Sequence, residues 1–208
     1  VGGLTSASRN IISGNASYGV KVQGAFSDTN NNSILGNYIG TNVTGDADLG
    51  NGDRGVYVTN GPENTIVGVA GSGNVVSGNG ADGIWLEIDQ STSVNGNIVG
   101  LAADGLTAMG NVGSGIRLND SNDATIGTAN TPTAINFIAS NGAHGIWIDN
   151  TSTGATIVNN TIGYNAADVQ RLNTENAIYI NNASNTNTVG GTATGAGTTA
   201  GCGAGVSS

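Results

Sequence analysis

The chain has 208 residues, of which 36 are glycine and two are proline, and its formal net charge is −9 with only five basic side chains. Nucleic acids and anionic membrane surfaces bind clustered basic side chains, so this composition argues against both partners. No stretch approaches the roughly 20 apolar residues that a membrane-spanning helix needs, and no membrane insertion is expected. The single Cys202 cannot form a disulfide within the chain, and its role stays open.

One short segment recurs six times and organises the chain. Each copy reads small, aliphatic, any residue, aliphatic, and the copies occupy residues 19–22, 55–58, 83–86, 115–118, 145–148 and 177–180. Alternate residues of a strand point to opposite faces, so the aliphatic pair of each copy points inwards and the residue between them points outwards. Recurrence at 28 to 36 residues predicts a repeat architecture built on a first strand.

A second aliphatic run follows each first strand, and a third precedes each first strand. The second strands are expected at Ile34, Ile66, Val94, Ile126, Ile157 and Val189. The third strands begin with asparagine, at Asn10, Asn37, Asn74, Asn97, Asn136 and Asn160. Glycine and asparagine tolerate the positive φ angles that sharp corners need. The pattern therefore predicts an all-β parallel β-helix solenoid of about six coils, with a ladder of stacked asparagine amides that satisfy one another.

The connections between the third strand and the next first strand alternate in length. They span 9 residues in three coils and 17 or 18 residues in the other three. The repeating unit is therefore a pair of coils of about 63 residues, and three such pairs fill the chain. This alternation predicts that all the long loops lie on one edge of the solenoid. The third strands also carry an outward row of mostly apolar residues, which either the long loops or another molecule should cover.

Three stretches resemble the modules of a known family. They are Arg9-Asn10-Ile11-Ile12-Ser13-Gly14-Asn15, residues 36–45 and residues 189–197. They are similar to the modules of right-handed parallel β-helix repeat proteins of the secreted or surface bacterial type. The resemblance implies a right-handed β-helix over residues 1–191, a Gly/Thr-rich segment 192–208 that completes or caps the last coil, and a secreted or cell-surface location in a bacterium. It does not imply one function, because this fold carries lyases, polygalacturonases, phage tailspikes and adhesin stalks.

The outward column of the first strands is the first candidate site. It reads Lys21, Tyr57, Trp85, Arg117, Trp147 and Tyr179, and it includes both tryptophans of the chain. A stripe of flat side chains is a surface on which a sugar ring or a partner protein can stack. Tyr57, Trp85, Arg117, Trp147 and Tyr179 are therefore the candidate residues for binding a glycan or a partner.

The same face offers an alternative function as a polysaccharide-active enzyme, either a glycoside hydrolase or a lyase. Glu87 and Asp149 are expected two coils apart, roughly 9–10 Å at the spacing of neighbouring strands. That distance is close to the carboxyl separation of inverting glycosidases, about 6.5–9.5 Å. Arg117 would orient an acidic sugar, and His144 is the remaining candidate for acid–base work. The competing interpretation is structural, because aromatic and charged side chains on a strand column stabilise it by stacking on one another.

One long loop was tested for a metal site. Asp46, Asp48 and Asp53 place carboxylates near alternating positions, as calcium loops do. The loop has no glutamate in the closing position, and the corresponding long loops keep few of these oxygen ligands. A polar turn is the favoured interpretation, and no cofactor is expected.

The two ends of the sequence suggest self-association. Residues 1–3 match residues 189–191, and residues 205–208 resemble the start of a first strand. Copies of the chain are therefore expected to stack head to tail into fibres, unless the sequence is a piece of a longer array. The favoured function is a non-catalytic, extracellular structural or adhesive module that associates end to end and binds glycans along its aromatic column.

Overall fold

A computed structural model describes residues 1–24, 29–182, 184–190 and 199–200, and these residues form 19 short strands in three parallel sheets. Sheet 1 contains β2 (Val20–Gln23), β5 (Val56–Thr59), β8 (Ile84–Glu87), β11 (Ile116–Asn119), β14 (Ile146–Asp149) and β17 (Ile178–Ile180). Sheet 2 contains β3 (Ser33–Ile34), β6 (Ile66–Val67), β9 (Ser93–Val94), β12 (Thr125–Ile126), β15 (Thr156–Ile157) and β18 (Thr188–Val189). Sheet 3 contains β1 (Ile11–Ile12), β4 (Tyr38–Ile39), β7 (Val75–Val76), β10 (Ile98–Val99), β13 (Asn136–Ile138), β16 (Asn160–Ile162) and β19 (Thr199–Ala200).

Each coil contributes one strand to each sheet, and consecutive coils pair in parallel and in register. Arg117, for example, lies opposite Trp85 in the preceding coil and opposite Trp147 in the following coil. This arrangement confirms the predicted parallel β-helix of about six coils. The described residues also include two short 3₁₀ helices, Ser6–Ser8 and Pro132–Ala134. In this described part of the chain, no helix has the length and apolar character required to cross a membrane.

The aliphatic pairs of the first strands form the core. Ile84, Leu86, Ile116 and Leu118 are all 0% exposed. The glycine that precedes each pair is required by close packing: a Cβ atom on Gly115 would lie 2.5 Å from the Ile138 side chain. Small residues therefore recur at this position because adjacent sheets meet there.

The predicted asparagine ladder is present at the start of sheet 3. The Asn97 side-chain nitrogen donates to Asn136 Oδ1 at 3.1 Å and to the Val67 carbonyl at 2.8 Å, and Asn97 Oδ1 accepts from Asn74 at 3.0 Å. The same bonds join Asn10, Asn37, Asn74, Asn97, Asn136 and Asn160. Each amide thus satisfies the next coil and the corner backbone at once.

A second asparagine ladder, which the sequence analysis did not identify, lies before sheet 1. It consists of Asn15, Asn51, Asn79, Asn111, Asn141 and Asn173. Asn111, at its centre, donates to Asn141 Oδ1 at 2.9 Å and to the Val76 carbonyl at 3.0 Å. Each member stands four residues before the small residue of a first strand, so the sequence did contain its signal.

The three long loops lie together on one edge, as predicted, and they are closed by the pairs Thr41↔Asp48, Leu101↔Ala108 and Tyr164↔Gln170. Neighbouring long loops touch, because Ala103 N donates to the Gly45 carbonyl at 2.8 Å and Ala166 N donates to the Gly105 carbonyl at 2.9 Å. The loops also cover sheet 3: a Cβ atom on Gly45 would lie 2.8 Å from the Tyr38 ring. The long loops themselves therefore cover part of the outward apolar row, whereas Ile11 at its start is 41% exposed.

The predicted division at residue 191 stays a prediction. Residues 191–198 and 201–208, which include Cys202, lie outside the described residues. The strand β19 pairs with β16 and extends sheet 3 by one strand.

Candidate functional site: the aromatic ladder of sheet 1

The in-register strands of sheet 1 align their outward side chains in one column, which we call the aromatic ladder. Its members are Lys21, Tyr57, Trp85, Arg117, Trp147 and Tyr179. All of them are half-buried except Lys21, which is exposed. The predicted column therefore exists, and the structure brings all five of its predicted binding residues together.

The Trp85 ring is enclosed by two guanidinium groups. The Arg54 guanidinium carbon lies 3.6 Å from the ring centroid and that of Arg117 lies 4.4 Å from it. Arg54 precedes β5 and Arg117 belongs to β11, and these strands flank β8 on opposite sides. The two cations therefore occupy opposite faces of the indole, an arrangement stabilised by cation–π attraction. Arg54 was not predicted to belong to the site, although it directly precedes Gly55, the glycine that begins one of the recurring first-strand segments.

The other half of the ladder is packed in the same way. Arg117 also lies 3.8 Å from the Trp147 ring centroid. The His144 ring lies 5.2 Å from Trp147 and 4.6 Å from Tyr179, centroid to centroid. Neighbouring side chains thus cover ring faces along the ladder, and Trp85 as a whole is half-buried. A sugar that stacked on this column, as predicted, would encounter rings whose faces already contact protein groups.

The two candidate carboxylates are held by neighbours in the ladder. Glu87 accepts a short hydrogen bond from the Tyr57 hydroxyl and a second from Thr59 at 2.9 Å. Burial and the bond to Glu87 raise the pKa of the Tyr57 hydroxyl. Asp149 pairs with Arg117 at 2.8 Å. Asn119 lies opposite both carboxyl residues, which places them two strands apart as predicted.

The environment of Asp149 favours its charged form. Burial raises its pKa, but hydrogen bonds from the Asn150 backbone, Arg117 and Asn182 outweigh burial, and the pKa of Asp149 lies below the usual range. A general acid in a glycosidase needs a raised pKa. Asp149 is therefore suited to hold Arg117 in place, or to act as a base, and not to protonate a leaving group.

His144 lies on the ladder but is not joined to the candidate carboxylates. Its Nε2 lies 3.0 Å from Glu175, and its Nδ1 accepts from the Asn176 backbone at 3.3 Å. This pairing assigns the proton of the neutral ring to Nε2. Burial lowers the pKa of His144 against the opposing effect of Glu175, so the ring is neutral at pH 7. The expectation that His144 joins Glu87 and Asp149 is thus not met by its hydrogen bonds.

Asp82, which directly precedes the glycine of the Trp85 strand, is a buried acid. It is 7% exposed and accepts a hydrogen bond from Ser114 N at 2.7 Å. Burial raises the pKa of Asp82 despite this bond and the nearby Arg117 and Arg54. The turn before β11 therefore uses this carboxylate as a structural acceptor.

The predicted calcium loop is closed by its own hydrogen bonds. Asp46 accepts from Thr44 at 2.6 Å and from Asn42 at 2.8 Å, and these bonds lower its pKa. Asp48 accepts from Gly50 N, and Asp53 pairs with Arg54 at 3.2 Å. Within the described residues, no group of three or more His, Cys, Asp or Glu side chains could hold a metal ion. The structure therefore does not gather Asp46, Asp48 and Asp53 into a site.

The fold and this face define a parallel β-helix solenoid with a packed aromatic and cationic column. Residues 3–199 match the family described as periplasmic copper-binding protein (NosD). The chain belongs to that family, which confirms the resemblance to right-handed parallel β-helix proteins and the predicted location outside the cytoplasm. No curated protein and no solved structure matches the chain.

The family description raises the question of copper. Copper ions prefer imidazole, thiolate and thioether ligands, and the chain has one residue of each kind: His144, Cys202 and Met109. Both ring nitrogens of His144 already have partners, and Met109 follows a long loop on a different edge. Cys202 lies outside the described residues. The described residues therefore do not fit a copper ion.

Proposed function

We propose that this chain is a non-catalytic structural module of an extracytoplasmic assembly, and that its β-helix associates end to end with further copies. The observation that carries the non-catalytic part is the engagement of the candidate acids by their neighbours. Glu87 is bound by Tyr57 and Thr59, and Asp149 by Arg117. The groups that an enzyme would use on substrate are here used to hold the ladder together.

The first coil supports the end-to-end part of the proposal. Val20 N and Gly24 N donate to the next coil, so the alternation of a strand turns the Lys21 N–H towards the free edge of β2. In both asparagine ladders the side-chain amides of all members but the last donate towards the following coil, and the first members, Asn10 and Asn15, are exposed. This edge presents the backbone donor of Lys21 and the side-chain oxygens of Asn10 and Asn15, to which a further coil would bind.

Analytical ultracentrifugation and electron microscopy over a concentration series would test assembly. The wild-type chain should grow in size with concentration and form fibres one β-helix wide. Lys21→Pro removes the edge N–H and should remain monomeric, whereas Lys21→Ala keeps the backbone donor and should assemble. A wild-type chain that stays monomeric at every concentration would refute end-to-end association.

The aromatic ladder leaves polysaccharide binding as a second prediction, because its ring-bearing residues are only half-buried. Retention on a panel of immobilised polysaccharides should be lost when Trp85 and Trp147 are both changed to Ala. The substitution Glu87→Gln distinguishes an enzyme from a binding module, since in an enzyme it would abolish turnover and leave retention on the polysaccharide unchanged. Absence of turnover in the wild type on the same panel is the expected outcome.

A further inference from the structure

A group of buried oxygen atoms that lack well-formed hydrogen bonds lies inside the corner between sheets 1 and 2. It consists of both carboxylate oxygens of Asp89 and the hydroxyls of Thr65, Thr92 and Ser121, and we call it the buried oxygen cluster. Asp89 is 1% exposed, and the other three residues are 0% exposed. Among the described residues, none of these side-chain oxygens has a partner at full hydrogen-bond geometry, and the hydroxyls of Ser121 and Thr92 interact with the Asp89 carboxylate only in part. Buried polar groups are normally bonded, so this cluster needs an explanation.

The register of the coils brings the cluster together. Gln90 pairs with Glu63 in the preceding coil and with Asn122 in the following coil, so the neighbours of Asp89 in those coils are Pro62 and Ser121. Thr65 and Thr92 stand directly before the paired strands β6 and β9. Pro62 has no N–H to donate. The hydroxyls of Ser121 and Thr92 lie close enough to the Asp89 carboxylate to lower its pKa, against the larger rise that burial causes.

No positive side chain in the portion of the chain that the structure describes affects the pKa of Asp89. The other charged groups of this corner, Glu63, Glu87, Asp120 and Asp123, are all acidic and are partly or fully exposed. Burial raises the pKa of Asp89 to about 6, and no charged group is among the causes of that shift. At pH 7 the carboxylate is thus mostly ionised although Asp89 is only 1% exposed, which is costly without a compensating charge.

We propose that the buried oxygen cluster binds one small monovalent cation at neutral pH and exchanges it for a proton at lower pH. The donors are all hard oxygen atoms, which prefer alkali and alkaline-earth ions over copper. They carry a single negative charge, which one monovalent ion neutralises and a divalent ion would overcompensate. Hydroxyl groups can turn their lone pairs to such an ion but cannot supply the missing charge themselves.

Competition between the ion and the proton gives a specific test with sodium as the probe. The Tm should be measured in sodium chloride and in choline chloride at equal ionic strength, at pH 5 and at pH 8. At pH 8, sodium should raise the Tm by a few degrees more than choline, because an ion that binds only the folded state stabilises it. At pH 5 the difference should vanish, since a proton occupies the site.

Matched variants separate this site from general salt effects. Asp89→Asn should lose the sodium-specific shift, whereas Asp168→Asn, which removes one exposed carboxylate, should keep it. Thr92→Val removes one oxygen donor at nearly constant shape and should reduce the shift, which provides a test if Asp89→Asn fails to fold. Equal Tm values in sodium and choline at pH 8, or an unchanged sodium shift in Thr92→Val and Asp89→Asn, would overturn the proposal. Crystals soaked in thallium(I) should show one anomalous peak beside Asp89.

Discussion

The asparagine ladders and the aromatic ladder are both columns of stacked side chains, but they solve different problems. The central members of the asparagine ladders are fully buried, and each one repeats the same bonds to the next coil and to the corner backbone. The aromatic ladder is half-buried and mixes rings, cations and carboxylates. The buried asparagine ladders therefore use one residue type, because every buried donor needs a partner. The half-buried aromatic ladder can vary, because water satisfies its polar groups.

This difference indicates where the chain has freedom to acquire a function. A substitution in a buried amide column leaves donors and acceptors of two coils unsatisfied, so that column admits one residue type. A substitution in the aromatic ladder changes packing locally, since water can replace a lost partner. Recognition of another macromolecule by this chain is thus expected on sheet 1 or at the ends of the solenoid, and not at the corners that carry the asparagine ladders.

The substitution Asn97→Ala tests the buried asparagine ladder and has the largest expected effect. The variant removes the acceptor of Asn74 and two donors, in a site that water does not reach. We expect a loss of about 3 kcal/mol in the free energy of unfolding, from the usual cost of buried unsatisfied groups. Urea unfolding followed by circular dichroism would measure it. The control Asn10→Ala, at the exposed end of the same ladder, should cost less than half as much, and equal losses would contradict the argument.

Arg117→Ala tests the aromatic ladder. It removes the cation shared by Trp85 and Trp147 and leaves Asp149 without its ion-pair partner. The expected loss is about 2 kcal/mol, because each partly desolvated cation–π contact contributes roughly 0.5–2 kcal/mol. Arg117→Lys keeps the charge but not the planar stack and should lie in between. Tryptophan fluorescence during urea unfolding reports both effects, and wild-type stability for Arg117→Ala would show that the ladder is not structural.

The smallest expected effect concerns pH. Burial lowers the pKa of His144 in the folded chain, so its contribution to stability is complete above the unfolded pKa of about 6.5 and is lost as pH falls below that value. His144→Gln should flatten this part of the stability profile between pH 7.5 and pH 5. Histidine proton NMR of the wild type provides the direct check, and a folded pKa above 6.5 would reverse the predicted sign.

Much of the fold follows from sequence because strand periodicity and coil stacking leave few choices. The aliphatic pairs fix which side faces the core, and the recurring Asn97 type of position fixes one corner. The contacts between coils were harder to foresee. The position of Arg54 against Trp85, and of His144 against Glu175, depends on long side chains that reach into a neighbouring coil. A pattern read along one chain does not show how such side chains turn.

Asp89 illustrates a second limit. Its neighbours Ile88 and Gln90 belong to an ordinary polar corner in the sequence, and nothing in that stretch distinguishes an inward from an outward carboxylate. The left-handed conformations of Ile88, with φ of 49°, and Ser91, with φ of 57°, turn the intervening residues and bury Asp89. Backbone geometry at two unremarkable positions therefore created the buried oxygen cluster.

Because neighbouring long loops contact one another, the mechanical unit of the solenoid is a pair of coils and not a single coil. Gly45 and Ala103 belong to loops separated by a complete intervening coil with a short corner, and their hydrogen bond spans it. Peeling one coil from an end under tension therefore also strains the loop that clamps it to the coil beyond its neighbour. Force-driven unravelling of the solenoid should therefore advance in steps of two coils.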